Sequence, residues 1–174
     1  DDFDRINYGF LRNFVEALTA CDMVPDKFVY MSSLGAWGMG DEKNYTPIRP
    51  TDTPHPNTRY GQSKLRSELF LQSVAGFPYI ALRPTGVYGP REKDYYLMFK
   101  SIKYGIDFGV GYRKQLLTFI YIKDLVNAIF AALESPISRK GYFLSEDRAY
   151  SAGEFRHYVA QALHKHFVLP VIVP

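Results

Sequence analysis

The stretch Tyr60-Gly61-Gln62-Ser63-Lys64 decides the interpretation of the fold, because it sets a tyrosine and a lysine four residues apart within a helical pattern. Residues at this spacing lie on the same face of an α-helix, so the two side chains can face one site. An ammonium group near a tyrosine lowers the pKa of its hydroxyl, which suits that hydroxyl for acid–base chemistry nearer neutral pH. Such a pair also arises by chance, and a packing tyrosine beside a surface lysine is the alternative interpretation.

Polar residues follow the predicted buried strand on each side of this helix, which we expect over residues 60–74. Ser32 and Ser33 come directly after the strand predicted for Lys27–Met31, and Arg83–Arg91 follows the strand predicted for Tyr79–Leu82. Open α/β sheets bind ligands at the carboxyl ends of their strands. Ser33 could therefore hydrogen-bond a substrate oxygen and the Tyr60 hydroxyl, although a loop serine that bonds its own backbone is the alternative.

The remaining pattern alternates between helices and strands. Apolar residues at helical spacing predict helices over residues 5–20, 95–103 and 123–133, and Ser151 with Glu154 forms a capping box that opens another, to about residue 164. Short apolar runs predict strands over residues 115–120 and 141–144, and the end of the chain, 167–173, is apolar and β-branched. Glycines and prolines make residues 38–58 a loop. This order is typical of an α/β fold with a parallel sheet.

Composition excludes several classes of function. The 174 residues are 47% hydrophobic with a net charge of +3, and no run of lysine or arginine indicates nucleic acid. No apolar run approaches the ~20 residues that span a bilayer. The single cysteine, Cys21, allows no internal disulfide, and the four histidines show no metal-ligand spacing. We therefore expect a small-molecule partner, no nucleic acid, no membrane, no metal and a cytoplasmic location.

Five motifs in order resemble the extended short-chain dehydrogenase/reductases of the NAD-dependent epimerase/dehydratase group. The resemblance covers nearly the whole chain. Its motifs are Asn7-Tyr8 with Asn13–Ala17, Met31–Gly38, the Tyr-x-x-x-Lys of Tyr60 and Lys64, Leu82–Pro84 with Val87–Arg91, and Phe119–Leu125.

The resemblance implies a role for each matching residue. Tyr60 would exchange a proton with a substrate hydroxyl or carbonyl, Lys64 would favour the ionised tyrosine and bond the nicotinamide ribose, and Ser33 would orient the substrate oxygen. Asn7 would support a proton or water relay, or contact the cofactor. The catalytic set is thus Ser33, Tyr60, Lys64 and Asn7, the set at the cofactor (NAD or NADP) is Tyr60, Lys64, Pro84 and Thr85, and the set at the substrate is Ser33, Tyr88 and Arg91.

Two departures from the family pattern bear on the prediction. No Gly-x-x-Gly-x-x-Gly segment follows a first strand in this sequence, so we expect a piece of a longer protein that lacks about 100 residues before it, judged from the strand–helix units that would be missing. A natural truncated paralogue is the alternative. In the sugar-nucleotide epimerases an Asn often stands at the position that Gly86 holds here. The same stretch also suits reductase-like members.

We predict an α/β fold, the C-terminal part of a Rossmann-like doubly wound parallel sheet plus part of a small substrate-binding lobe. One partial domain would span residues 1–174, with the Rossmann portion at about 1–90 and 115–135 and the lobe at about 91–114 and 136–174. The predicted function is an NAD(P)-dependent oxidoreductase or epimerase acting on a hydroxyl or carbonyl of a small or sugar-like substrate, nucleotide sugars included. A catalytically inactive binding or regulatory member of the fold is the alternative. The resemblance also implies a homodimer through helices 5–20 and 59–75.

Overall fold

Helices and strands alternate along most of the chain. The computed structural model describes residues 2–41, 43–110 and 116–173. The helices are α1 Phe10–Ala20, α2 Arg59–Ser73, α3 Asp94–Lys103, α4 Ile122–Glu134 and α5 Ala152–Ala162. The strands are β1 Phe28–Met31, β2 Tyr79–Pro84, β3 Gly86–Tyr88, β4 Ile106–Val110, β5 Leu116–Tyr121, β6 Lys140–Leu144, β7 Ala149–Ser151 and β8 Leu169–Val173. A π-helical segment, Asp4–Gly9, leads into α1, and a single 3-10 turn spans Leu34–Ala36.

Most of the predicted elements are confirmed with small shifts at their ends. The predicted strand over residues 115–120 is β5, although Gln115 itself lies outside the described residues. The short strands β3, β4 and β7 had not been predicted. They are three to five residues long, and their pairing partners lie far away in the sequence, so local patterns carry little trace of them.

The chain divides into two compact units. The first comprises Asp1–Thr85 and Lys123–Leu144, and the second comprises Gly86–Ile122 and Ser145–Pro174.

The first unit is built on a parallel sheet with the strand order β1-β2-β6. Phe28 pairs with Tyr79 at one end of β1, and Pro84 pairs with Leu144 at the far end of β2. All six residues of β2 are buried, as expected for a parallel strand covered on both faces.

Successive residues of β2 serve two separate cores in this unit. Tyr79 and Ala81 face a cluster that also contains Leu11 of α1 and Leu71 of α2. Ile80 and Leu82 face the opposite side, where the cluster is completed by α4 through residues such as Ala132. Helices therefore cover both faces of a parallel sheet, and the predicted α/β fold is confirmed.

The second unit contains smaller sheets. Its strands pair in the order β3-β5-β7, with β3 and β5 parallel and β5 and β7 antiparallel, and β4 pairs with β8 in parallel. The predicted capping box of α5 is confirmed: Ser151 accepts a hydrogen bond from the Glu154 backbone N–H, and the Glu154 carboxylate accepts one from the Ser151 N–H. The Ser151 N–H, the Ser151 hydroxyl and the Arg148 guanidinium all donate to the Glu154 carboxylate, and these hydrogen bonds lower the pKa of Glu154 to about 2.

Candidate active site

Ser33 occupies the turn that leaves β1. Its backbone is extended, with φ −158°, and its Oγ accepts a hydrogen bond from the Gly35 N–H at 3.1 Å. The residue is half-buried. A serine hydroxyl retains a proton to donate after accepting one bond. Ser33 therefore bonds the backbone of its own turn, as the alternative interpretation expects, but only as an acceptor. Its hydroxyl proton remains available for a substrate oxygen.

Tyr60 lies in the first turn of α2. Thr58 caps this helix by accepting a hydrogen bond from the Gly61 N–H at 3.0 Å. The Tyr60 ring packs edge-on against Phe3, with 5.8 Å between the ring centroids, and the residue remains 38% exposed. Tyr60 is therefore accessible from solvent.

Lys64 lies one turn further along α2, with its Nζ 5.7 Å from the centroid of the Tyr60 ring and 5.2 Å from that of Tyr30. Nζ donates a hydrogen bond to the Met31 carbonyl oxygen at 2.9 Å. Burial lowers the pKa of Lys64, and within the described ranges no carboxylate pairs with it. The ammonium is therefore held by dipoles and ring faces, and it keeps donors for a further partner.

A glycine-to-glycine contact brings the Ser33 turn against α2. A Cβ built on Gly61 would lie 2.2 Å from the Gly35 carbonyl oxygen, so the two backbones touch only because Gly61 has no side chain. A Cβ built on Gly35 would lie 3.4 Å from Ser33 Oγ and 4.0 Å from Cδ1 of the Tyr60 ring. Ser33 and Tyr60 thus flank the same residue, and the structure brings them together.

Asn7 lies in the π-helical segment and contacts α2 rather than the tyrosine hydroxyl. Its Nδ2 donates to Ser63 Oγ at 2.9 Å, and Ser63 Oγ donates to the Tyr60 carbonyl oxygen at 2.7 Å. π-helical turns are rare and often occur at functional sites. This chain of bonds supports the backbone of Tyr60.

Pro84 and Thr85 lie at the carboxyl end of β2, as predicted. The Thr85 N–H donates to the Leu144 carbonyl oxygen at 3.0 Å. Its hydroxyl is buried and has no hydrogen-bond partner among the residues that the structure describes. A buried hydroxyl without a partner costs free energy, so its presence is explained if a bound molecule supplies one.

Tyr88 and Arg91 belong to the second unit. The Tyr88 hydroxyl donates to a Glu146 carboxylate oxygen at 2.8 Å, and Tyr88 lines an aromatic cavity of about 610 Å³ together with residues such as Phe119 and Tyr150. Arg91 is exposed and has a positive φ of 73°. Tyr88 is therefore part of a formed cavity, whereas Arg91 lies on the surface.

Gly86, at the position where sugar-nucleotide epimerases often carry Asn, packs against the end of the Tyr95 side chain. A Cβ on Gly86 would lie 2.1 Å from the Tyr95 hydroxyl oxygen and 3.3 Å from the Thr118 carbonyl oxygen. Tyr95 therefore occupies the space into which an asparagine would project.

A known protein family matches most of this chain. The profile of the NAD dependent epimerase/dehydratase family matches residues 1–143, a span that contains all eight predicted site residues. The chain belongs to the NAD dependent epimerase/dehydratase family. No curated protein matches the sequence significantly.

Solved structures of epimerase/dehydratase folds superpose closely on the chain. One is RMD from Pseudomonas aeruginosa complexed with NADPH, with a TM-score of 0.83, 20% identity, and coverage of 97% of this chain and 62% of that one. A second is dTDP-glucose 4,6-dehydratase from Bacillus anthracis in complex with NAD, with a TM-score of 0.84, 17% identity, and coverage of 98% of this chain and 57% of that one. A third is UDP-N-acetylglucosamine 4-epimerase from Methanobrevibacter ruminantium M1 in complex with UDP-N-acetylmuramic acid. Its TM-score is 0.80 and its identity 20%, and the match covers 98% of this chain and 56% of that one.

These likenesses concern the fold, given the low identities. The chain spans about 56 to 62% of the length of the three solved structures. Across the described part of this epimerase/dehydratase chain, no group of three or more His, Cys, Asp or Glu residues is arranged to hold a metal ion. In the same residues, no helix is long and apolar enough to cross a membrane.

Sequence reasoning missed the pairing of two charged residues beside this epimerase/dehydratase site. Glu68 of α2 and Arg83 of β2 form a buried ion pair at 2.7 Å. The available signal was Arg83 itself, a charged residue in the apolar run Tyr79–Pro84, since a buried strand tolerates a charge only when it is paired. Glu68, one helical turn after Lys64, could have been inferred as its partner.

Proposed function

We propose that the whole protein is an NAD(P)-dependent oxidoreductase or epimerase that acts on a hydroxyl or carbonyl group of a sugar-like substrate. The observation that carries this proposal is the contact of the Ser33 turn with the start of α2, which places Ser33 and Tyr60 beside the same glycine. Lys64 lies one helical turn away, with its Nζ near the Tyr60 ring. Family membership and the cofactors and nucleotide sugar bound in the similar structures support it.

Proton transfer would be carried by Tyr60. When a substrate hydroxyl is oxidised, the ionised tyrosine accepts its proton as the carbonyl forms, and in the reverse direction the neutral tyrosine donates it. Ser33 donates a hydrogen bond to the same substrate oxygen and orients it. The Lys64 ammonium, held by the Met31 carbonyl, stabilises the negative charge that develops on the tyrosine oxygen.

The cofactor would lie against Lys64 and the end of β2. The nicotinamide, when bound, supplies hydride transfer. Lys64 keeps donor protons beyond its bond to Met31, and the buried Thr85 hydroxyl needs a hydrogen-bond partner. Both features fit a polar group bound beside them, and Pro84 would add backbone contact. We further propose that the unit with Tyr60 belongs to the cofactor-binding portion and the unit with Tyr88 to the substrate lobe.

A substrate bound near Gly86 would lack the side-chain contact that an Asn at this position could make in sugar-nucleotide epimerases. The Tyr95 hydroxyl lies 2.1 Å from a Cβ built on Gly86, so an asparagine there would require the Tyr95 side chain to move. Tyr88, with its hydroxyl bonded to Glu146, contributes to the aromatic wall of the cavity, and Arg91 is the exposed cation of the same segment. We propose both as substrate contacts, with a cytoplasmic location in keeping with the single exposed, unpaired cysteine.

The proposal is tested by substrate screening of the whole protein with NAD and NADP. Nucleotide sugars, free sugars and small carbonyl compounds are offered, and reduced nicotinamide is followed by fluorescence. Because an epimerase leaves no net change in the cofactor, products are also identified by NMR. We expect turnover of at least one sugar-like substrate. Cofactor binding without turnover of any of them would favour the inactive binding member instead.

We propose that the protein forms a homodimer through α1, its π-helical lead segment and α2. Ile6, Phe10 and Phe14 lie on one face of the continuous helix and are 58%, 69% and 44% exposed, and Leu69 of α2 is 54% exposed. Three large apolar side chains in a row on a solvent-facing helix are typical of a protein interface. A second copy of the same helix pair fits this surface, since a two-fold interface is self-complementary.

Phe10→Asp is expected to convert the dimer to a monomer, because it sets a charge at the centre of the apolar face. Molar mass is measured by light scattering after size exclusion, across a range of protein concentrations. Phe130→Asp is the matched control. Phe130 is 58% exposed and belongs to α4, the helix that covers the opposite face of the sheet. This interface would be contradicted if the parent protein were a monomer, or if Phe130→Asp dissociated the dimer and Phe10→Asp did not.

A further inference from the structure

Beside the candidate active site, three buried polar side chains form a closed network. The Glu68 carboxylate accepts hydrogen bonds from Arg83 Nη2 at 2.7 Å and from Arg83 Nε at 3.1 Å to each of its oxygens. Ser32 Oγ donates to Oε1 of the same carboxylate. Glu68, Ser32 and Arg83 are 1%, 2% and 5% exposed. Each charge is therefore removed from water and compensated within the network.

The surroundings of Arg83 fit its guanidinium closely. The Trp37 ring lies over it, with its centroid 3.7 Å from Cζ, and the Phe143 ring centroid is 5.2 Å away. A Cβ built on Gly141 would lie 2.3 Å from Arg83 Nη2, so the neighbouring strand leaves space for the guanidinium only because it carries glycine there. Two aromatic faces and a glycine thus hold the arginine in one orientation.

Each member of the network lies within one helical turn or one residue, along the chain, of a residue of the proposed site. Ser32 directly precedes Ser33, and Glu68 follows Lys64 by one turn of α2. Arg83 precedes Pro84 and Thr85 at the end of β2. The network therefore joins the ends of two strands to the helix that carries the proposed proton donor.

We propose that Ser32, Glu68 and Arg83 are positioning residues, which hold the Ser33 turn and the end of β2 in register with Tyr60 and Lys64. This inference rests on the proposed function. Replacing a buried ion pair by apolar residues of similar volume often leaves stability unchanged or raises it. The stability of the fold therefore does not by itself explain why charged residues are buried here. A network of directional hydrogen bonds does more than stabilise, because it fixes the spacing of the strands and the helix that it joins.

The test removes both charges together, so that neither is left buried without its partner. The variant Glu68→Met with Arg83→Met is made in the whole protein, and thermal midpoint, cofactor dissociation constant, kcat and KM are measured. We expect the midpoint within a few degrees of the parent and cofactor affinity within about threefold. We expect kcat to fall by about 10²-fold, since a misplacement of about 1 Å costs that much.

Two further variants keep the result interpretable. Ser67→Ala is the matched control: Ser67 is buried next to Glu68, its hydroxyl donates to the Ser63 carbonyl of its own helix and lies near the Tyr30 side chain, and it belongs neither to the network nor to the proposed site, so kcat should stay within twofold of the parent. Ser32→Ala removes one arm of the network without touching either charge. It should lower kcat several-fold at constant KM, and it decides the question if the double variant does not fold.

The outcomes separate this inference from the proposed function. A parent protein that turns over its substrate, together with a folded double variant of equal kcat, overturns the positioning role alone. If the double variant does not fold, an unchanged kcat in Ser32→Ala overturns it. A parent protein with no turnover of any substrate overturns the proposed function, and the positioning role with it. A fall in kcat that follows loss of folded protein, with kcat per folded molecule unchanged, also overturns the positioning role.

Discussion

Tyr60→Phe in the whole protein is expected to lower kcat by at least about 10²–10⁴-fold, the usual contribution of a positioned acid or base. The substitution removes one oxygen atom and keeps the ring. The edge contact with Phe3, at 5.8 Å between ring centroids, and the position of Lys64 Nζ over the ring should both survive. Folding and cofactor affinity are therefore expected to change little, so the loss should appear in the chemical step.

The measurement pairs steady-state kinetics with a cofactor titration by calorimetry. Tyr142→Phe is the matched control, since Tyr142 is a strand residue of the same unit with a similar exposure of 39%, compared with 38% for Tyr60. It should retain the parental kcat. Undiminished turnover by Tyr60→Phe would remove Tyr60 from its proposed role as acid and base.

Gly61→Ala is expected to destabilise the protein and to lower turnover together. The new methyl group would lie 2.2 Å from the Gly35 carbonyl oxygen and 3.1 Å from Thr58 Oγ1, and the first of these is backbone that cannot rotate away. Overpacking of this kind costs about 1–3 kcal/mol, occasionally more. The clash must push α2 away from the Ser33 turn, which separates Ser33 from Tyr60.

The direction of the change in stability is informative, because helix propensity alone favours alanine over glycine by about 1 kcal/mol and would therefore raise the stability of Gly61→Ala. Gly9→Ala provides the matched control: its Cβ would lie 3.7 Å from the nearest atom, the Asp4 carbonyl oxygen, which is an ordinary contact. Urea unfolding should show a loss of stability for Gly61→Ala and little change or a gain for Gly9→Ala. A Gly61→Ala protein that is more stable than its parent and fully active would refute the close approach of turn and helix.

The elements that local patterns describe were predicted well. The helical spacing of residues 5–20, the capping box at Ser151 and Glu154, and the apolar run that became β2 all depend on residues within a few positions of each other. The spacing of Tyr60 and Lys64 alone did not identify the family. The motifs around them did, since Ser33 follows β1 and the segment Arg83–Arg91 begins in the last residues of β2. Family membership is therefore readable from the sequence.

The sequence by itself determined the order of the longer elements and the family, and it named the candidate residues for proton transfer, because these follow from spacing along one helix and from motifs along the chain. Only the tertiary structure decided how they meet. The contact of Gly35 with Gly61, the pairing of Glu68 with Arg83 and the space that Tyr95 takes beside Gly86 each join atoms of different elements. Such contacts depend on how helices and strands pack, and packing is set by the whole core rather than by any local pattern of residues.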